Sequence, residues 1–264
     1  MCPHCRAFIT TRDSVCPYCG ERVGPRAAQT RDPGELIGGF IPHARFVTTI
    51  LLIVNAGLFL ATTLYPVPAS YFSSVLYAFG AKEGGAIWQD HEWWRLVTAG
   101  FLHGGFLHIL MNGWVLLDLG AQIEIVYGPA RLIVFYLLTT IAGFLASAWW
   151  SPVLSIGASA ALFGFIGAMI ALGVANPSSA GRMIRGTYMR WALYGLAYGF
   201  IPMFHVDNAA HIGGLASGFV LGYFAGIPAR SSFAKERAWQ IAAWVSVAII
   251  LYCFYLVYRH FPRG

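Results

Sequence analysis

The sequence has few charged residues, and one long part of it has none. Only 11% of the 264 residues are charged whereas 58% are hydrophobic, and the mean hydropathy is +0.62. Because soluble domains carry about 25% charged residues, this composition excludes an ordinary soluble protein. The fifty residues 132–181 contain no Asp, Glu, Lys or Arg. We therefore expect an all-α polytopic membrane protein.

The N-terminal region lacks the features of a secretory signal peptide, which has a basic start followed by an apolar run. Residues 1–40 are polar and contain Cys, Pro and Arg, and the first apolar stretch begins near Phe46. We therefore expect this region to be retained. Its last part, residues 24–45, contains Pro and Gly at several positions and is expected to be a linker.

Apolar runs define the predicted architecture. A run of about 20 residues can cross a bilayer as a helix, and the sequence contains seven, at roughly 46–65, 101–120, 130–149, 157–175, 187–204, 208–227 and 238–258. We predict four parts: a module at 1–23, the linker at 24–45, a six-span core at 46–227, and a loop with a seventh span at 228–264.

The distribution of basic residues predicts the orientation, because Lys and Arg accumulate in cytoplasmic loops. With seven spans, thirteen of the 17 Lys and Arg residues fall on the same side as the N-terminal module and four fall on the other. We therefore expect the N-terminus to be cytoplasmic. The net charge of +6 then reflects topology, and nucleic acid is not an expected partner.

Cysteine is scarce, and four of the five cysteines lie near the N-terminus. CPHC and CPYCG place Cys2, Cys5, Cys16 and Cys19 as two CxxC pairs separated by ten residues. Four thiolates at this spacing predict a tetrahedral Zn²⁺ site in a small zinc ribbon, which is structural or binds a protein partner. The alternatives are disulfides or a redox pair, and a cytoplasmic location argues against disulfides. Cys253, in the last apolar run, is expected to act as a small hydrophobic residue.

Polar side chains at the start of three predicted spans are the candidate functional residues, because ionisable and polar groups are costly at membrane depth. His108 and Asn112, four residues apart, lie on one face of the second span. Ser159 lies in the first turn of the fourth span, and His211 lies near the start of the sixth. Since even-numbered spans enter from the same side, these residues are expected at a similar depth near the non-cytoplasmic surface.

The residue types fit hydrolysis by a serine nucleophile. A serine hydroxyl becomes reactive when a base takes its proton, and His211 is the base within reach of Ser159. Hydrolysis also needs donors for a developing oxyanion. The Ser159 amide, at a helix N-terminus where amides are unpaired, is one donor, and the side chains of Asn112 and His108 are others.

Small residues are expected to bring these spans together. Gly214 and Gly218 form a GxxxG pair on the sixth span, and Gly157 is the first of several glycines on the fourth; such faces let helix backbones approach closely. Taken singly, a membrane serine is usually a packing residue and a membrane histidine an interhelical hydrogen-bonding group. His103 and His205 need no other explanation. The matched depth of the four candidates on three spans favours a common site.

The motifs that follow one another from about Glu92 to Gly226 resemble those of the rhomboid intramembrane serine proteases. EWWRLVTAGFLHGGFLHILMNGW is similar to the family's WR element and H-x4-H-x3-N motif, and GAQIEIVYGPARLIVFYLL is similar to its G-x3-E-x3-G-x2-R segment. GASAALFG resembles the serine motif, and NAAHIGGLASG resembles the AH-x2-G-x3-G histidine motif. The resemblance implies a rhomboid-like six-helix core, with the seventh span as the common six-plus-one variant.

The resemblance also implies roles for the candidate residues. Ser159 would be the nucleophile and His211 its base, in a dyad without an acid. His108, Asn112 and the Ser159 amide would form the oxyanion hole. The implied activity is that of an endopeptidase, with no cofactor for catalysis.

Further implications concern the surroundings of the site. Phe163 matches an aromatic residue that the family stacks against the histidine, and Gly157, Gly214 and Gly218 would support the helix packing. The implied partners are the lipid bilayer and transmembrane protein substrates. The expected location is the cytoplasmic (inner) membrane, and with the N-terminus in the cytoplasm the active site would open toward the opposite face.

Two residues leave alternatives open. Asp207, four residues before His211, would orient the histidine if the site were a triad, although the family does without one. Ala160 stands where the serine motif usually has a second glycine. Because alanine favours the helix and adds only a methyl group, we expect it to be tolerated, although a methyl group facing the substrate would slow cleavage.

Two other functions compete with the endopeptidase. A rhomboid pseudoprotease would bind transmembrane segments without cutting them. A transporter is disfavoured, because no charged residue is expected in mid-membrane to couple to an ion.

Overall fold

The computed structural model describes residues 2, 5, 7–8, 15–20, 45–201, 206–227 and 231–261. The chain forms two compact units, Met1–His43 and Ala44–Gly264, and each is described by itself. The linker predicted over 24–45 lies outside the described residues except for Arg45, and His205 also lies outside them.

The described part of the larger unit is helical. Its α-helices are α1 (Phe46–Thr63), α2 (Phe72–Ala78), α3 (Gly84–Trp88), α4 (Arg95–Thr98), α5 (Phe106–Val115), α6 (Ala121–Tyr127), α7 (Pro129–Trp150), α8 (Ser159–Ala175), α9 (Ser179–Tyr198), α10 (Asn208–Ala225) and α11 (Phe233–His260). Short 3₁₀ turns lie at Ala69–Tyr71 and Ala99–Phe101. In the described part of this unit, pairing of the β type is limited to one isolated antiparallel bridge between Lys82 and Ser155. The predicted all-α polytopic fold is confirmed.

Seven helical elements correspond to the seven apolar runs, with α5 and α6 joined through a π-helical segment, Leu116–Gly120, into one element. Within the described chain, four elements are long and apolar enough by themselves to cross a membrane: Phe46–Thr63, Phe106–Tyr127, Pro129–Trp150 and Phe233–His260. The helix α8 is apolar but has only 17 residues. Neither α9, which contains three arginines, nor the glycine-rich α10 belongs to this set.

Several of the rough span boundaries differ from the observed helix ends, and local interactions explain two of the differences. The second span begins at Phe106 instead of 101, because residues 99–101 form a 3₁₀ turn and Leu102 is extended. The fifth begins at Ser179 instead of 187, because the Ser178 side chain accepts a hydrogen bond from the Gly181 amide and caps the helix.

The core is centred on α8, which packs between α7, α9 and α10. Every residue of α8 from Ala160 to Ala171 is buried. Small residues four apart on α8 face small residues four apart on α10, and the pairs are Ala160 with Gly214, Gly164 with Gly218 and Ala168 with Gly222. A Cβ added at Gly214, Gly218 or Gly222 would collide with the backbone of α8. The two helices therefore touch along their backbones, as predicted from the GxxxG pair.

Two buried charged residues fasten the outer helices to this core. Glu124 accepts hydrogen bonds from the amides of Val47 and Thr48, both at 2.9 Å, at the N-terminus of α1, where a carboxylate is favourable. Arg131 on α7 pairs with Glu236 on α11. The Glu and Arg of the G-x3-E-x3-G-x2-R segment thus hold the first and seventh spans.

Candidate active site

Ser159 begins α8 and is half-buried. The turn before it depends on Gly157, whose φ of +126° is one that residues with side chains rarely adopt. The Gly157 amide donates to the Ala99 carbonyl oxygen at 2.9 Å, which fixes the chain two residues before Ser159.

His108 on α5 lies beside the same turn. A Cβ added at Gly157 would lie 2.7 Å from His108 Nε2 and 3.6 Å from Ser159 Oγ. The two side-chain atoms therefore lie close to the same position beside Gly157. His108 Nδ1 accepts the Gly104 amide hydrogen at 3.4 Å. A neutral imidazole that accepts at Nδ1 carries its proton on Nε2. His108 therefore presents an N–H donor to the space next to Ser159.

Asn112 lies one turn further along α5 and is buried. Its Nδ2 donates to the His108 carbonyl oxygen at 3.1 Å, which holds the amide on the face of α5 that carries His108. An amide nitrogen has two hydrogens, so this bond leaves Asn112 one more to donate.

His211 lies in the first turn of α10 and is buried. Its ring stacks on Phe163, with 4.0 Å between the ring centroids and 13° between the planes. The far end of the Phe163 ring lies against α9, because a Cβ at Gly195 would lie 2.6 Å from Phe163 Cζ. Phe163 is one helical turn beyond Ser159, so the stack brings the start of α10 to the start of α8.

No acid is hydrogen-bonded to Nδ1 of the histidine in the described structure. Among the described residues, no partner accepts or donates at His211 Nδ1, and no hydrogen bond joins His211 to Ser159. Asp207 instead caps α10 by accepting the Ala210 amide hydrogen at 3.0 Å, and its other carboxylate oxygen accepts from the Ser147 hydroxyl. This geometry favours a dyad over the triad that Asp207 would complete.

Ala160 points away from the site. Its side chain is 0% exposed and packs with Ala210 and with Phe144 of α7. A Cβ at Gly143 on α7 would lie 2.8 Å from the Ala160 methyl group. The alanine in the serine motif therefore contributes to helix packing, and its methyl group is enclosed between α8 and α7.

Three polar residues near these elements were missed from the sequence. Lys82 and Ser147 have partners distant in sequence, which no motif marks. Asp118 lies in the π-helical segment in the middle of the helical element Phe106–Tyr127. The predicted second span, 101–120, put this residue near its end, so Asp118 was not singled out.

The four N-terminal cysteines form a cluster in the smaller unit. Their Sγ atoms all lie within 4.8 Å of one another. The Cys2–Cys19 and Cys5–Cys16 Sγ–Sγ distances are both 3.7 Å. A tetrahedral ion with metal–sulfur bonds of about 2.3 Å places its sulfurs about 3.8 Å apart, whereas a disulfide requires about 2.05 Å. The cluster therefore fits a metal ion.

Comparison with known proteins identifies the family. The family model described as the Rhomboid domain matches residues 90–227, slightly more than half of the chain. The chain is 38% identical over 164 residues to "Rhomboid protease GluP" of Bacillus subtilis (strain 168), covering 62% of this chain and 32% of that protein. It is 32% identical over 198 residues to "RHOMBOID-like protein 1" of Arabidopsis thaliana, covering 68% and 50%.

A third relative carries a different description. The chain is 34% identical over 148 residues to "Inactive RHOMBOID-like protein 8" of Arabidopsis thaliana, covering 55% of this chain and 42% of that protein. The matches span 32% to 50% of the lengths of these relatives. The motifs, the helical architecture and the matched domain agree, and the chain belongs to the rhomboid family.

Proposed function

We propose that the chain is an intramembrane serine endopeptidase that hydrolyses peptide bonds in or near transmembrane segments of membrane proteins. The observation that carries the proposal is the convergence of three helix starts. Ser159 begins α8, the His108 Nε2–H donor of α5 lies beside it, and His211 of α10 is stacked one turn away on Phe163.

In the proposed reaction, His211 Nε2 takes the proton of Ser159 Oγ as the oxygen attacks the scissile carbonyl carbon. The resulting oxyanion accepts hydrogen bonds from His108 Nε2, Asn112 Nδ2 and the Ser159 amide. His211 then gives the proton to the leaving amine, and water hydrolyses the acyl-enzyme by the reverse of these proton transfers. The ring of Phe163 keeps the imidazole in one orientation, which is the task of the acid in a triad.

No hydrogen bond joins Ser159 to His211 in the described structure, and this is compatible with catalysis. Catalytic hydrogen bonds are often long or misaligned without substrate and tighten in the Michaelis complex. In this proposal the substrate, by displacing the His211 ring or the Ser159 rotamer, brings the two groups into contact.

The distribution of Lys and Arg supports an N-terminus in the cytoplasm and a site that opens toward the opposite face, with the inner membrane as the location. The substrate would then be cut near the outer leaflet. The N-terminal cysteine cluster would hold one structural Zn²⁺ through Cys2, Cys5, Cys16 and Cys19, and the ribbon would offer a surface to a protein partner.

Cleavage in proteoliposomes tests this function. Wild type and Ser159→Ala are reconstituted with a generic single-span substrate, and the products are identified by mass. We expect a cut in or near the span with wild type and none with Ser159→Ala. Equal products from both proteins, or none from folded wild type, would contradict the proposal.

A pseudoprotease is the second candidate, and two observations favour it. Ser159 and His211 are not hydrogen-bonded, and one relative is described as inactive. In that case, wild type would capture the span of the substrate in the same proteoliposomes and release no fragment.

A further inference from the structure

Lys82 is a buried lysine outside the proposed catalytic residues. It lies between α2 and α3, and its side chain is 0% exposed. Nζ donates hydrogen bonds to the carbonyl oxygens of Ser151 at 2.6 Å and Val153 at 2.9 Å. Burial lowers the pKa of Lys82, and the carboxylates of Asp207 and Glu83 oppose that shift. Because a buried ammonium group is costly, a lysine at this position calls for an explanation.

The backbone around Lys82 holds the same partner segment, residues 151–158, which joins α7 to α8. The Lys82 amide donates to the Ser155 carbonyl oxygen at 3.0 Å, and the Ser155 amide donates to that of Lys82 at 2.9 Å. The Gly84 amide donates to the Pro152 carbonyl oxygen at 3.0 Å. A Cβ at Gly84 would lie 2.7 Å from Pro152 Cα, so the two backbones are in contact.

The segment held in this way ends at Ser159. Only three residues separate Ser155 from Ser159, and the middle one, Gly157, is held by the Ala99 carbonyl oxygen and lies against His108 Nε2. A shift of Ser155 would therefore change the position of the Ser159 amide and hydroxyl relative to His108.

The segment that Lys82 holds is also tied to the helix of the proposed base. Asp207 caps α10 four residues before His211 and accepts from the Ser147 hydroxyl near the end of α7. Ser147 lies one helical turn before Ser151, whose carbonyl oxygen accepts from Lys82 Nζ.

We propose that Lys82 is a positioning residue for peptide hydrolysis, which fixes the Gly157–Ser159 backbone by holding residues 151–155. It acts through that segment and touches no substrate. The inference rests on the proposed endopeptidase activity, since it explains how the nucleophile is kept in place for that reaction.

The test compares Lys82→Met, which removes the ammonium group at similar length, with Lys82→Arg, which keeps a cationic donor. Lys235→Met is the matched control, because Lys235 is exposed and its Nζ donates to the Phe224 carbonyl oxygen at 3.3 Å, outside the segment that Lys82 holds. The assay is run in proteoliposomes at a temperature well below the melting temperature of each variant. It gives KM and the kcat per folded molecule. The rate at which a fluorophosphonate labels Ser159 is measured in parallel.

We expect Lys82→Met to lower kcat by about 10²-fold, the typical cost of a misplacement of about 1 Å. KM should change little and the labelling rate should fall in parallel. Lys82→Arg should recover part of the loss, and Lys235→Met should match wild type. If Lys82→Met does not fold, Gly84→Ala is measured instead, because its methyl group would push the backbone next to Lys82 away from Pro152. This variant should likewise lower kcat and the labelling rate and change KM little.

A lysine that only stabilised the fold would lower the melting temperature and leave kcat per folded molecule and labelling unchanged, and that result would overturn the inference. So would equal losses in Lys82→Met and Lys82→Arg. These failures are distinct from failure of the proposed function, in which wild type itself would not cleave.

Discussion

Substitution of Gly157 by alanine tests the geometry around the proposed nucleophile. At a φ of +126° a residue with a side chain is strained, at a cost of about 1–3 kcal/mol. In addition, the new methyl group would lie 2.7 Å from His108 Nε2 and 3.6 Å from Ser159 Oγ. The first distance is too short for any real contact, so either the His108 ring or the serine turn must move.

Either movement would take His108 away from its proposed position as a donor to the oxyanion, and loss of one such donor costs about 10²- to 10³-fold in kcat. We therefore expect Gly157→Ala to lower kcat by at least about 10²-fold, in a protein that still folds. The measurement is kcat in proteoliposomes together with the melting temperature in detergent.

Gly105→Ala is the matched control. Gly105 directly precedes α5, the helix that carries His108. Its φ of 170° is extended backbone that any residue adopts, and nothing lies within 4 Å of an added Cβ. This variant should cleave as wild type does. Wild-type kcat in Gly157→Ala would refute the placement of His108 beside the nucleophile.

Three further predictions follow from the site and the N-terminal cluster. Ser159→Ala and His211→Ala should each abolish cleavage, and the double variant should be no worse than either, because residues that act as one unit are non-additive; additive losses would argue against the dyad. Ala160→Gly should leave kcat unchanged and lower stability by about 1 kcal/mol, since the methyl group is buried between helices; a faster enzyme would show that it faces the substrate. The purified full chain should carry about one zinc ion, which a chelator or Cys16→Ser removes without changing the cleavage rate of the membrane unit; metal analysis and the substrate assay check both parts.

The family and the fold could be predicted because their signals are local in the sequence. Seven apolar runs, the GxxxG pair and ordered motifs from Glu92 to Gly226 all lie within short windows. The stacking of Phe163 on His211 was also expected, because the two residues occupy fixed places in two of the motifs, and the structure brings the rings together. Their catalytic roles stay predictions.

Other features depend on contacts that no short window contains. The partners of Lys82 are backbone carbonyl groups about 70 residues away, and any residue type supplies a carbonyl. The start of α9 is set by a Ser178 cap at the edge of a polar stretch that hydropathy assigns to a loop. The direction of the Ala160 methyl group follows from how α7, α8 and α10 pack, which the motif alone does not specify.

The most direct test of the central claim is the site of covalent labelling by a fluorophosphonate. Full-length protein in liposomes is treated with the probe, digested, and analysed by mass spectrometry. We expect one adduct, on the Ser159 hydroxyl, that is lost in His211→Ala although Ser159 is still present. Labelling elsewhere, or labelling of Ser159 at the wild-type rate in His211→Ala, would contradict the proposed pairing of nucleophile and base.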